Sequence, residues 1–84
     1  MVAFSELALT GLQRAPGGGD RAKAWRSAIA LFLLQPAAIE KSFQMRTNLM
    51  AELYLLPLGE ARVYWEQRSD GSRTVWSVTF AQKK

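Results

Sequence analysis

Arg62, Tyr64, Arg68, Arg73 and Lys83 bring cationic groups and an aromatic ring together in the last third of the chain. Single-stranded nucleic acid is recognised by that combination: cations meet phosphates, and a ring stacks on a base for about 1–3 kcal/mol. Glu66 lies among the arginines, and Glu–Arg pairs across an ordinary solvated sheet produce the same pattern. A Lys, Arg and Tyr cluster can also promote phosphodiester cleavage without histidine, by positioning a 2′-hydroxyl and stabilising charge on phosphorus. Glu52, Glu60 and Glu66 are the carboxylates open to a role as base, Asp70 being committed to a turn. Lys83 and Lys84 either supply cations at the sheet edge or form a frayed, solvated end.

Other chemistry is closed by composition. The chain has 84 residues, no cysteine and no histidine. Disulfides, thiolate or imidazole metal sites, and Cys- or His-based nucleophile systems are therefore excluded, and no cofactor is implied. One small domain is expected over residues 1–84, since 49% hydrophobic and 21% charged content is globular and too short for two cores. The net charge of +4 is spread evenly, which serves solubility or weak phosphate contact alike. The longest uncharged stretch, Ser27 to Ile39, falls short of the roughly 20 residues of a membrane span and contains Pro36. Glu6 and Asp20 precede it, which fits a secretory signal poorly, so the chain reads as cytoplasmic.

The elements that must position the site follow from periodicity. Residues 14–20, Arg-Ala-Pro-Gly-Gly-Gly-Asp, read as a flexible loop after a short N-terminal element. Without the Lys-Ser/Thr ending of a phosphate-binding loop, its glycines carry no phosphate signature. Asp20 is placed to cap a helix reaching about Leu34, with Ala22, Trp25, Ile29, Phe32 and Leu33 on one face. Its second half, through Ala28, Ala30, Leu31 and Leu34, is apolar all round, so Leu31 and Leu34 are either central in the core or covered by another chain. A second helix is expected over Pro36 to about Asn48, from Ile39, Phe43, Arg46 and Met50 at helical spacing. Leu49 to Leu56 fits a third strand with odd residues inward, or two further helical turns, ending at Pro57-Leu58-Gly59.

Two runs rich in β-branched and aromatic residues, Ala61 to Arg68 and Arg73 to Ala81, flank Asp70-Gly71, the preferred pair of a two-residue type I′ turn. That turn sets Trp65 opposite Trp76, Val63 opposite Val78 and Ala61 opposite Phe80, all on one buried face. The other face then carries Arg62, Tyr64, Glu66, Arg68, Arg73, Val75, Ser77 and Thr79, with Glu52 and Tyr54 if the third strand joins. The expected architecture is α+β: two helices packed on a three-stranded antiparallel sheet with a C-terminal β-hairpin. Trp25, Ile29, Phe32, Leu33, Phe43, Val63, Trp65, Trp76, Val78 and Phe80 form its core.

Ala51-Glu52-Leu53, Ala61-Arg62-Val63-Tyr64-Trp65, Asp70-Gly71 and Phe80-Ala81-Gln82-Lys83-Lys84 together resemble the C-terminal half of RelE/ParE-like toxins of bacterial toxin–antitoxin systems. The resemblance implies a first strand at Val2 to Ala8, then two helices and a three-stranded antiparallel meander. It also implies mRNA cleavage on the ribosome or, in the non-nuclease branch, gyrase inhibition, with neutralisation by an antitoxin. Arg62 matches the arginine of the third-strand motif, and Lys83 the lysine after the final-strand Phe. The family's Glu-Leu-Arg is Glu-Leu-Tyr here, at Glu52, Leu53 and Tyr54, and Ala61 replaces an aromatic residue. The expected function is a small basic nucleic-acid-interacting protein of toxin-like type, with RNA or an antitoxin as partner. The alternative is a non-catalytic interaction module, a homodimer or subunit held through Leu31 and Leu34.

Overall fold

The computed structural model describes residues 2–47 and 51–81. Asn48 to Met50 and Gln82 to Lys84 lie outside the described residues, and with them the expected end of the second helix, the first residues of the third strand, and Lys83. In chain order the elements are β1 (Val2–Phe4), α1 (Glu6–Leu12), α2 (Gly19–Leu33), a 3-10 turn (Pro36–Ala38), β2 (Phe43–Thr47), β3 (Ala51–Leu58), β4 (Ala61–Arg68) and β5 (Arg73–Phe80). One five-stranded sheet results, in the order β1-β5-β4-β3-β2. β1 runs parallel to β5, and the other pairs are antiparallel. The α+β class is as expected, but the sheet is mixed and gains an edge strand on each side of the expected three.

Ser5 separates β1 from α1. Its Oγ accepts from the Ala8 amide at 3.1 Å and donates to the Trp76 carbonyl at 2.7 Å, so one side chain caps the helix and fastens it to β5. β1 pairs only Arg73 to Val75, and α1 lies against the remainder of β5. A Cβ at Gly11 would stand 2.0 Å from the Val78 carbonyl oxygen, so only glycine permits this approach. α2 begins one residue before the expected cap: Gly18, at φ 85°, is the N-cap, and Asp20 sits in the first turn near the positive helix end. Ala22, Ile29 and Leu33 are buried, and Trp25 meets Phe80 edge-on at 5.4 Å.

The expected helix over Pro36 to Asn48 does not form. Pro36 starts a single 3-10 turn, and the chain then becomes the edge strand β2. Phe43-Gln44-Met45 alternates as well as it spirals, and pairing with β3 satisfies backbone groups that would otherwise remain open. Ser42 stabilises the crossover, donating to the Ala38 carbonyl at 2.7 Å and accepting from the Trp65 indole N–H at 3.0 Å. Phe43, expected in the core, is 66% exposed.

β3 faces opposite to expectation. Gly59 at φ 60°, followed by a negative φ at Glu60, has the sign pattern of a type II′ turn joining Leu58 to Ala61. That two-residue connection sets Tyr54 opposite Trp65 and Leu56 opposite Val63, so the even residues turn inward. Tyr54 is buried and stacks on Trp65 at 4.7 Å between centroids. Pro57 is tolerated within the strand because β2 does not extend that far.

The second hairpin departs from the type I′ expectation in a way that changes the site. Gly71 alone has positive φ, and its N–H donates to the Arg68 carbonyl while the Arg68 N–H donates to that of Ser72. This is a three-residue loop, a type I turn closed by a left-handed glycine. It shifts the register by one, pairing Trp65 with Val75 instead of Trp76. A bulge then leaves Trp76 unpaired and restores the expected pairs Val63–Val78 and Ala61–Phe80. Trp65 and Val75 are completely buried, and Trp76 leaves the core for the opposite face. Ile29, Leu33, Val63, Trp65 and Val78 are core residues as expected, joined by Ala8, Leu12, Tyr54 and Leu56.

Candidate nucleic-acid interface

Both helices pack on one face of the sheet. Every fully buried strand residue, Tyr54, Leu56, Ala61, Val63, Trp65, Val75 and Val78, points to that side. Among the described residues, none on the reverse face is buried, so that face is open. Its central row runs across the strands through Phe43, Leu55, Tyr64 and Ser77. Trp76, displaced by the bulge, brings its indole to 5.7 Å from the Tyr64 ring at 47°. Two adjacent, partly exposed rings are thus anchored on the sheet, and aromatic faces are the groups on which planar ligands stack.

Cations border this row unequally. Arg62 is exposed, two residues from Tyr64 on β4, and makes no ion pair among the described residues. Arg68, at the other end of β4, lies 3.4 Å from the Glu66 carboxylate on the same strand. That exposed contact is worth at most about 1 kcal/mol and leaves Arg68 free to reorient toward a phosphate. Asp70 accepts from the Ser72 N–H and hydroxyl at 2.9 and 2.6 Å, which holds its carboxyl below the usual aspartate range and confirms its commitment to the turn. A cleft of about 690 Å³ between α1 and the end of β5 adjoins Ser77 and Thr79. Arg14 and Glu60 line it, and Thr79 is the cross-strand partner of Arg62.

Arg73 belongs to the other side of the molecule. The shifted register sets it opposite Gln67 on the helix-bearing face. Its Nη1 donates to the Leu33 and Gln35 carbonyls at 2.7 and 3.0 Å, its Nε donates to Gln67, and its guanidinium lies 5.1 Å from the Trp65 ring centroid. It closes the C-terminal end of α2. The structure thus joins Arg62, Tyr64 and Arg68 on one face and separates Arg73 from them, while Lys83 falls outside the described residues. Leu31, on α2, and Leu34, its C-cap, are 64% and 60% exposed. Glu52, placed inward with Tyr54, accepts from the Tyr54 hydroxyl at 2.5 Å. Trp76, Phe43 and Leu55, expected on the inner side, were missed as residues of the outer face. Three-residue hairpin loops with glycine at their end were the one sequence signal that pointed to the Trp76 shift.

No cluster of His, Cys, Asp and Glu suited to a metal ion occurs among the described residues, and no helix there is long and apolar enough to cross a membrane. No family model and no curated protein matches the chain. Among solved structures, the archaeal RelE–RelB complex from Pyrococcus horikoshii OT3 matches 99% of this chain and 96% of its own, with a TM-score of 0.70 and 16% identity. The order of elements, strand, two helices, then antiparallel strands, agrees in outline with the one the resemblance implies, with four strands in the meander where three were expected. The protein has a RelE-like fold.

Proposed function

We propose that this is a small, basic, toxin-like protein whose open sheet face contacts single-stranded RNA. The observation that carries the reading is the Tyr64–Trp76 ring pair on the helix-free face of the sheet, with the exposed Arg62 beside it making no ion pair among the described residues. Stacking holds bases without selecting among them, and Arg62, with Arg68 and Arg14 at the margins, supplies the charge for phosphates. Glu66 repels phosphate on its side, so the backbone of a bound strand runs along the Arg62 side of the row. Arg73 takes no part, because its donors are engaged by the end of α2. The similar structure holds RelE together with RelB, which supports a protein antitoxin as the partner here.

Binding of a labelled twelve-nucleotide RNA tests this directly. Affinity should fall steeply with salt, and Arg62→Glu combined with Arg68→Glu should abolish it and relieve growth inhibition on expression. Arg62→Glu/Arg68→Glu protein that stays folded and binds as before rejects the reading.

A further inference from the structure

The cleft between α1 and the end of β5 holds one carboxylate, Glu60, and one guanidinium, Arg14, and the stacking of bases on Tyr64 and Trp76 makes no use of the carboxylate. β1 pairs β5 only as far as Val75, so the cleft opens where no strand continues the sheet edge. Both charged residues stand on fastened backbone. The Glu60 carbonyl accepts from the Ala81 N–H at 2.9 Å, next to the Gly59 turn, and the Arg14 N–H donates to the Gly11 carbonyl at 3.1 Å, where α1 lies against Val78. Leu7, 58% exposed on α1, and Phe80 give the cleft apolar sides, and the hydroxyls of Ser77 and Thr79 add polar ones. Its volume of about 690 Å³ falls within the range of about 300–1,000 Å³ typical of small-ligand sites.

We infer that this cleft binds the guanine base of a nucleotide. Guanine alone among the RNA bases carries two adjacent donors, N1–H and the 2-amino group, on its Watson–Crick edge, and a carboxylate accepts both. A carboxylate offers about four lone-pair sites, so Glu60 receives the pair whatever else it touches. Arg14 decides the class of ligand. An arginine side chain of a protein presents a similar pair of donors to Glu60, but its charge is repelled by Arg14; a nucleotide brings a neutral base for Glu60 and a phosphate for Arg14. The inference deepens the RNA reading and rests on it only where the guanine belongs to a strand. Ser77 ends the row that contains Tyr64, and Thr79 pairs with Arg62, so a strand stacked on the rings with its phosphates along Arg62 has its next base at the mouth of the cleft. Bases on the rings are held without selection, and the base in the cleft is chosen.

Guanosine, adenosine, cytidine and uridine 5′-monophosphates are the probes, and the amide shifts of isotope-labelled protein the readout. Guanosine monophosphate should shift Gly11, Ser77 and Ala81 and bind at least about tenfold more tightly than the other three, and inosine monophosphate, which lacks the 2-amino group, should bind about tenfold more weakly than guanosine monophosphate. Glu60→Gln should remove the preference, while Arg14→Ala should weaken all four nucleotides alike. Thermal melting of each variant confirms the fold. In a second arm, a twelve-nucleotide RNA with one guanine should bind more tightly than its inosine counterpart; equal binding there, with the mononucleotide preference intact, assigns the cleft to a free guanine nucleotide. A guanine-free RNA reads the rings alone, so failure of the RNA reading is distinct from failure of the cleft. Absence of guanosine monophosphate binding, equal binding of the four nucleotides, a preference that survives Glu60→Gln, or tighter binding of N-acetyl-arginine amide overturns the inference.

Discussion

Arg62 and Arg73 stand on neighbouring strands of one hairpin, and the two faces of the sheet put them to different use. On the helix-bearing face Arg73 is held by two carbonyls, Gln67 and the Trp65 ring. On the open face Arg62 has no such partners among the described residues and stands beside the partly exposed rings of Tyr64 and Trp76. A basic residue on this hairpin is drawn into the fold when register turns it toward the helices, and remains available to a ligand when register turns it out. Residue type does not separate the two cases; a one-residue shift in pairing does.

The faces can be told apart by substitution. Trp65→Ala, which empties the buried centre beneath the stacked Tyr54 ring, should cost about 3–5 kcal/mol in chemical denaturation and leave little folded protein. Arg73→Ala should destabilise by about 1.5–3 kcal/mol through its lost charged hydrogen bonds, while RNA affinity of the remaining folded protein is retained. Trp76→Ala should show the reverse, a loss of about 1–3 kcal/mol of RNA binding from one stacking surface, measured by anisotropy, with a smaller effect on melting. An Arg73→Ala protein that keeps its stability and loses RNA would dissolve the distinction between the faces. The smallest effect is in alkali. The bond to the Glu52 carboxylate, then burial, raises the Tyr54 pKa, so its contribution to stability is complete below the unfolded value of about 10 and is lost as pH rises through the folded one. Tyr54→Phe should flatten the decline of melting temperature above about pH 10.

Much of the fold was legible because some residues obey a single constraint. The apolar face of α2, at Ala22, Ile29 and Leu33, and the distal pairs Val63–Val78 and Ala61–Phe80 follow from periodicity alone. β2 was hidden because Phe43 and Arg46 fit a helical repeat, and only the open edge of β3, a tertiary feature, decides for pairing. The inversion of β3 was hidden for a different reason. Pro57-Leu58-Gly59 looked like a terminator, whereas Leu58 pairs and the reversal falls on Gly59-Glu60. At the site, Arg62, Tyr64 and Arg68 were placed correctly on the outer face because they lie on β4, whose alternation is uninterrupted. Arg73 and Trp76 were misplaced because both lie on β5, between the turn and the bulge, where two irregularities cancel farther along the strand.

Ser5 gives that cancellation a further meaning. An extra residue in a strand leaves a carbonyl with no strand to receive it, and the carbonyl of Trp76 is met by the hydroxyl that also starts α1. The indole on the outer surface is therefore latched from the first few residues of the polypeptide, more than seventy positions away in sequence. Trimming those residues, or exchanging that hydroxyl for a methyl group, would loosen the aromatic platform without touching any side chain that a ligand meets.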